Sequence, residues 1–198
     1  MADNEIINTA VEKLGETQSV EMKDSLKGLL SNIFEKGMLP KDAMGMSSNM
    51  VEGIYSHAYR LYNTGKYKEA SILFRLLILL DPTSPKYPLG LAACFHMVKE
   101  YINAASTYML VSMVDPVSPI PYYHASDCYI NLKEVGAAAL ALEMAIKLSG
   151  NLPQYSLIKE RSTFTLAGLQ EELEAAKVIA KANLEEHQAE ADVDSNKK

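Results

Sequence analysis

Between residues 51 and 152 the apolar and small positions recur at helical spacing and also at a longer interval of 34 residues. Asp81-Pro82 returns as Asp115-Pro116, and the next step lands on Ser149-Gly150, again a pair that stops helices. Ala70, Ala104 and Ala138 fall in register. So do Leu61, Phe95 and Tyr129, then Phe74, Tyr108 and Leu142, then Tyr67, Tyr101 and Val135. Each interval reads as two helices joined by a tight turn. In the first, helix A is predicted over about 51–63, Thr64-Gly65-Lys66 makes the turn, and helix B over about 68–80 ends before Pro82, which has no N–H to continue it.

This period, with its small, aromatic and proline positions, resembles the tetratricopeptide repeat in three copies at 51–84, 85–118 and 119–152. The implied fold is all-α: three tandem helix pairs forming a short right-handed superhelix, with an N-terminal helix and a C-terminal capping helix. The alanines at 70, 104 and 138 are expected where helix B crosses helix A closely, since a larger side chain would push the pair apart. Two copies depart from the pattern: Lys99 stands where the first has its turn glycine, and Gly150 replaces the final proline of the third.

The flanks read differently. Residues 1–50 form an N-terminal extension: 1–18 without sustained pattern and frayed, a helix over about 19–36, and a Met-rich mobile linker over 37–50. In that helix Leu26, Leu29, Leu30, Ile33 and Phe34 make one apolar stripe, followed by Gly37 and Pro40 as stop signals. After Pro153 a helix over about 154–182, carrying Leu157, Ile158, Phe164, Leu166, Leu169 and Leu173, should cap the open end of the last repeat within a domain spanning 51–182. The polar residues 183–198 are expected to be a disordered tail.

Composition narrows the function. With 48% hydrophobic and 22% charged residues the chain is in the ordinary globular range. The longest aliphatic run, Leu76 to Leu80, is far too short to span a bilayer, and the first ten residues lack a signal peptide's basic and apolar regions. A cytoplasmic protein without membrane insertion is the expectation. Two cysteines make no disulfide framework, and a net charge of -6 disfavours nucleic acid. The charge resides in the flanks, for residues 51–150 are neutral and hold ten of the eleven tyrosines. Tyrosine packs its ring and hydrogen-bonds through its hydroxyl, which suits a recognition surface.

No phosphate-cradling glycine loop, nucleophile elbow or zincin motif occurs, so neither an enzyme nor a cofactor is expected. Cys94, His96, His124 and Cys128 have the donor types for zinc, but their spacing is not that of a closed structural site and buried thiols are the simpler reading. Glu171, Glu172 and Glu174 read as a solvated face. In stacked helix pairs the A helices line a concave groove through repeat positions 2, 5, 9 and 12. These are Glu52, Tyr55, Tyr59 and Tyr62; Lys86, Leu89, Ala93 and His96; and Ile120, Tyr123, Asp127 and Ile130. Tyrosines and aliphatic residues suit an extended peptide with prolines and leucines. A clamp for a terminal carboxylate needs several inward cations, and here Lys86 alone qualifies.

Three strings carry a closer resemblance. Ile54-Tyr55-Ser56-His57-Ala58-Tyr59, continuing through Tyr62, Gly65-Lys66-Tyr67 and Glu69-Ala70 to Phe74, is one; Leu89-Gly90-Leu91-Ala92-Ala93-Cys94 is the second; Pro121-Tyr122-Tyr123-His124-Ala125-Ser126-Asp127-Cys128 is the third. Together they resemble the class II chaperones of bacterial type III secretion, which hold hydrophobic translocator proteins before export. The resemblance covers about residues 50–175. It implies a non-enzymatic cytoplasmic chaperone that takes up a Pro-x-Leu-x-x-Pro-like segment of a translocator in its groove, through Tyr55, Tyr59, Tyr62, Lys86, Leu89, Ala93, His96, Tyr123 and Asp127. The alternative is a generic tetratricopeptide scaffold binding another folded protein. Two departures bear on packing: His57 stands where the family generally has an aliphatic residue between helices, and Ala92 replaces a glycine at the close crossing. Family members often dimerise through the N-terminal region, so the stripe from Leu26 to Phe34 has two destinations, its own first repeat or a second copy.

Overall fold

The computed structural model describes Val11, residues 20–172 and residues 174–175, and among these every regular element is helical. In chain order they are α1 (Val20–Phe34), α2 (Pro40–Ala43), α3 (Ser48–Asn63), α4 (Tyr67–Leu80), α5 (Lys86–Met97), α6 (Tyr101–Val114), α7 (Ile120–Asn131) and α8 (Val135–Ser149). A 3-10 turn at Pro153–Tyr155 leads into α9, helical over 156–172. The chain divides into two compact units between Val98 and Lys99. In the first, α3 packs on α4 and α4 on α5; in the second, α6 packs on α7 and α7 on α8. This is an all-α tetratricopeptide array. The expected tail at 183–198, most of the segment 1–18, Leu173 and the end of the capping helix lie outside the described residues.

Small side chains let these helices approach. Ala70, Ala104 and Ala138 have no exposed surface, and a second small position is equally closed: Ala58 and Ala92 at 0% and Ser126 at 2%. Between them large residues wedge in register, with Phe74, Tyr108 and Leu142 all buried. Ala92 is buried without exposed surface, and a further close approach lies two residues before it. Gly90 faces the ring of Phe74 so closely that a Cβ there would fall well inside van der Waals contact. His57 is exposed and not wedged between helices; its Nδ1 lies 2.7 Å from the Arg60 guanidinium one turn on.

The turn between helices A and B needs one left-handed residue in every copy. Gly65 has φ 78°, and Lys99 and Lys133 both have φ 63°. After α3, Gly65 N–H donates to the Tyr62 carbonyl and Lys66 N–H to that of Leu61; after α7, Lys133 and Glu134 do the same to Ile130 and Tyr129. These paired bonds satisfy the last helical carbonyls, so the geometry persists even where lysine must adopt a conformation that suits glycine.

Residues 37–50, expected as a mobile linker, contain structure. Gly37 turns the chain at φ 66°, Pro40 opens α2, and Ser47 caps α3 by accepting from Met50 N–H, so α3 starts at Ser48 before the expected position 51. Met46 packs against the first repeat's core. Lys41 Nζ donates to Asp81 Oδ2 at 2.6 Å, across forty residues of chain, while the Thr83 hydroxyl and N–H donate to Asp81 Oδ1. Burial alone would push the Asp81 carboxyl up, but the hydrogen bonds from Lys41 and Thr83 outweigh it and hold the pKa below its ordinary value. The Lys41 pKa is raised, chiefly by the same hydrogen bond.

At the other end α9 closes the third repeat through Leu166 and Leu169, which join Ala138 and Leu142 in one apolar cluster. Lys159 Nζ donates to the Gly150 carbonyl at 2.7 Å, where its charge meets the negative end of α8. Of the apolar residues this helix carries, Leu157 and Phe164 point outward at 55% and 82% exposure.

Two glycine substitutions should have opposite signs. Gly90→Ala should lower stability by about 1–3 kcal/mol, because Phe74 is buried and has no room to yield. Lys133→Gly should raise it by about 0.5–1 kcal/mol, the relief of a left-handed lysine less the entropy of a freer unfolded chain. Thermal or urea melts check both.

The Lys41 to Asp81 pair predicts a pH signature. A depressed carboxylate contributes stability above its unfolded pKa of about 4 and loses it as pH falls through the folded value; a raised lysine contributes below its ordinary value and loses it as pH rises through the folded one. Lys41→Met should therefore melt earlier than wild type at neutral pH, and the gap should close as the pH drops below that of an ordinary aspartate.

Candidate peptide-binding face

Tyr55, Tyr59 and Tyr62 are spaced four and three residues apart, which places them on one side of α3. Their surroundings differ. Tyr55 and Tyr62 are half-buried and pack on the first unit's core, whereas Tyr59 is 52% exposed. The Tyr55 ring stacks on Tyr59 with centroids 6.2 Å apart, meets Phe74 edge-on at 6.2 Å and lies 5.8 Å from Tyr87. Tyr62 meets Tyr67 edge-on at 5.4 Å. Such offset and edge contacts fix ring orientation beyond what burial alone supplies. Burial also raises the pKa of both phenols, Tyr55 against the opposing pull of Lys86, so at neutral pH both remain hydrogen-bond donors.

On α5, Lys86, Leu89, Ala93 and His96 share a face by the same spacing, and all four are partly exposed. Lys86 joins the two helices. Its ammonium lies 4.3 Å from the centroid of Tyr55 and 5.4 Å from that of Tyr87, and it donates to Glu52 Oε2 at 2.7 Å. The single cation on this face is thus neutralised, in keeping with an uncharged face and not a carboxylate clamp. The remaining two predicted residues belong to the second unit. Tyr123 is half-buried with its ring edge-on to His124 at 5.3 Å, and Asp127, one turn further along α7, is exposed.

The candidate zinc donors take other roles. Cys94 and Cys128 are buried, and burial pushes their thiols up to about 11 and about 12, so neither is a thiolate at neutral pH. His124 stacks on Tyr108 with centroids 5.4 Å apart. Among the described residues no three His, Cys, Asp or Glu side chains converge in a way that would hold a metal ion.

Glu52, at groove position 2, is left out of the residues the resemblance implies, and the structure pairs it with Lys86. The signal was present as opposite charges at one repeat position, a period of 34 apart.

Residues 51–83 match the tetratricopeptide repeat family model. The chaperone protein SicA of Salmonella typhimurium is 29% identical over 109 residues, which cover 55% of this chain and 66% of SicA. The low calcium response locus protein H of Yersinia pseudotuberculosis is 30% identical over 124 residues, covering 63% of this chain and 74% of that protein. The chain belongs to the tetratricopeptide chaperones of type III secretion translocators. Within this family it is also similar to the Yersinia enterocolitica translocator chaperone SycD, solved in complex with a peptide of the translocator YopD, at 29% identity and a TM-score of 0.62 over 64% of this chain and 96% of SycD. The chain spans 66% of the length of the SicA relatives it matches. Among the described residues no helix is long and apolar enough to cross a membrane.

Proposed function

We propose that this protein is a non-enzymatic bacterial cytoplasmic chaperone whose α3 and α5 face binds an extended, Pro-x-Leu-x-x-Pro-like segment of a hydrophobic translocator and keeps that partner from associating before export. The observation that carries the reading is the ladder of Tyr55, Tyr59 and Tyr62 beside Lys86, whose charge Glu52 balances, in a chain of this family. Flat rings accept prolines, and partly exposed Leu89 and Ala93 leave room for aliphatic side chains. Tyr123 and Asp127 on α7 offer an aromatic ring and a carboxylate within the second unit. Binding is coupled to folding by mass action, so the ligand stabilises the chaperone as it covers the partner's apolar segment.

We further propose that α1 mediates a homodimer. Leu26, Leu29, Leu30 and Ile33 are only partly buried and Phe34 is 68% exposed, so the stripe is incompletely covered by its own chain. It packs against the short α2.

Tyr59→Ala should weaken binding of a Pro-x-Leu-x-x-Pro peptide by about 1–3 kcal/mol with little change in melting temperature, because Tyr59 is the most exposed of the three rings. Tyr55→Ala and Tyr62→Ala should cost both binding and stability. Calorimetric titration and melts of the three variants separate the effects, and co-expression with a hydrophobic translocator shows whether the partner stays soluble, which a generic scaffold would not achieve.

Leu30→Glu should give a folded monomer that still binds peptide, since a charge within a two-fold contact acts twice. Sedimentation checks this; wild-type protein that is monomeric at high micromolar concentration, or a variant whose first repeat unfolds, returns α1 to its own chain.

A further inference from the structure

Glu52 and Lys86 hold one another asymmetrically. The lysine ammonium is fixed by three neighbours: the Glu52 carboxylate at 2.7 Å, the Tyr55 ring at 4.3 Å and the Tyr87 ring at 5.4 Å. Tyr87 is buried and Tyr55 is packed on the core, so these rings form a fixed seat. Both side chains are partly exposed, Lys86 at 40% and Glu52 at 56%, but the lysine has two rings beside its partner, whereas among the described residues the one ion pair of Glu52 is with Lys86. The carboxylate is the replaceable member of the pair.

We infer that Lys86 is a specificity-determining residue of the peptide-binding face, selecting extended segments that carry one aspartate or glutamate beside their apolar residues, with the ligand carboxylate taking the place of Glu52. The inference rests on the proposed peptide-binding role of α3 and α5. An exposed ion pair contributes little, so giving up Glu52 costs little, whereas a bound segment shields its own carboxylate and the ammonium from water and strengthens their attraction, with both ring contacts kept. The apolar part of the segment then lies against Tyr55 and Tyr59, which stack on one another beside the ammonium. A lysine or arginine at the same place in the segment gains no such exchange. It must either face the seated ammonium or draw Glu52 away and leave Lys86 unpaired beside a second cation, and like-charge juxtaposition disfavours both. Discrimination therefore comes as much from rejecting basic segments as from attracting acidic ones.

The test uses the full-length protein and short fluorescent peptides built on Pro-x-Leu-x-x-Pro, with each x in turn Glu, Gln or Lys. Anisotropy titrations at low and high salt should find one x position at which Glu binds tighter than Gln and Gln tighter than Lys, the extremes differing by about tenfold and converging as salt screens the contact. Lys86→Met should collapse that spread to within about twofold. Glu52→Gln, which removes the competing carboxylate, should strengthen the Glu peptide further. Exchanging the charges in the double variant Glu52→Lys, Lys86→Glu should reverse the order and favour the Lys peptide, which guards against a single variant that folds poorly. Equal binding of all three peptides at every position, or a spread that persists in Lys86→Met, overturns the role of Lys86 while leaving the peptide-binding face intact. If none of the peptides binds, the Gln series included, the proposed function and this inference fall together.

Discussion

The structure depends on how closely two helices can approach at residues too small to keep them apart. Ala58, Ala92 and Ser126 on the A helices and Ala70, Ala104 and Ala138 on the B helices are all essentially without exposed surface, at the same two positions of each repeat. Backbones brought that near leave a fixed gap beside them. Phe74, Tyr108 and Leu142 fill it at one repeat position with three different shapes, and where Phe74 reaches furthest its neighbour is reduced to Gly90. The A-to-B turn of each repeat takes one left-handed residue, met by Gly65 or, at greater backbone cost, by Lys99 and Lys133.

Polar groups near these crossings are satisfied without leaving their own helices. Buried Ser71, Ser126 and Ser149 donate to carbonyls three or four residues earlier, so none of them needs a partner across the interface. Ser162 on α9 is the exception among the described residues, its buried hydroxyl having no hydrogen-bond partner. Asp81 plays the opposite part. By accepting from Lys41 and Thr83 it ties the segment before the first repeat to the end of α4, converting what would be a tether into an attached arm.

With the helix crossings set by small residues and by the wedges Phe74, Tyr108 and Leu142, the tyrosines of α3 can serve a second purpose besides packing. Their rings support one another and Lys86, an arrangement that would lower the entropy lost if the proposed segment binds there. Its one cation is balanced by Glu52, leaving aromatic and aliphatic surface as the dominant offering. That combination fits a chaperone for an apolar, proline-bearing segment, and membership of the translocator-chaperone family points the same way.

The period of 34, the helix pairs, the aromatic concentration in the first repeat and the family strings were all legible in the sequence, because each depends on residue spacing along a regular helix and on side-chain size at a repeated position. Spacing says nothing about which neighbour each side of a helix meets. Only the tertiary structure decided that in the run Leu76 to Leu80, Leu77 and Leu80 are buried while Leu79 is 70% exposed, and that Phe164 turns outward from the cap. It also decided that Lys41 reaches Asp81 forty residues away, that Phe74 leaves no room for a Cβ at Gly90, and that Lys86 sits over Tyr55. Each of these is a contact between side chains on different elements. The sequence sets which residues are available to meet, and the packing distance between helices determines which of them do.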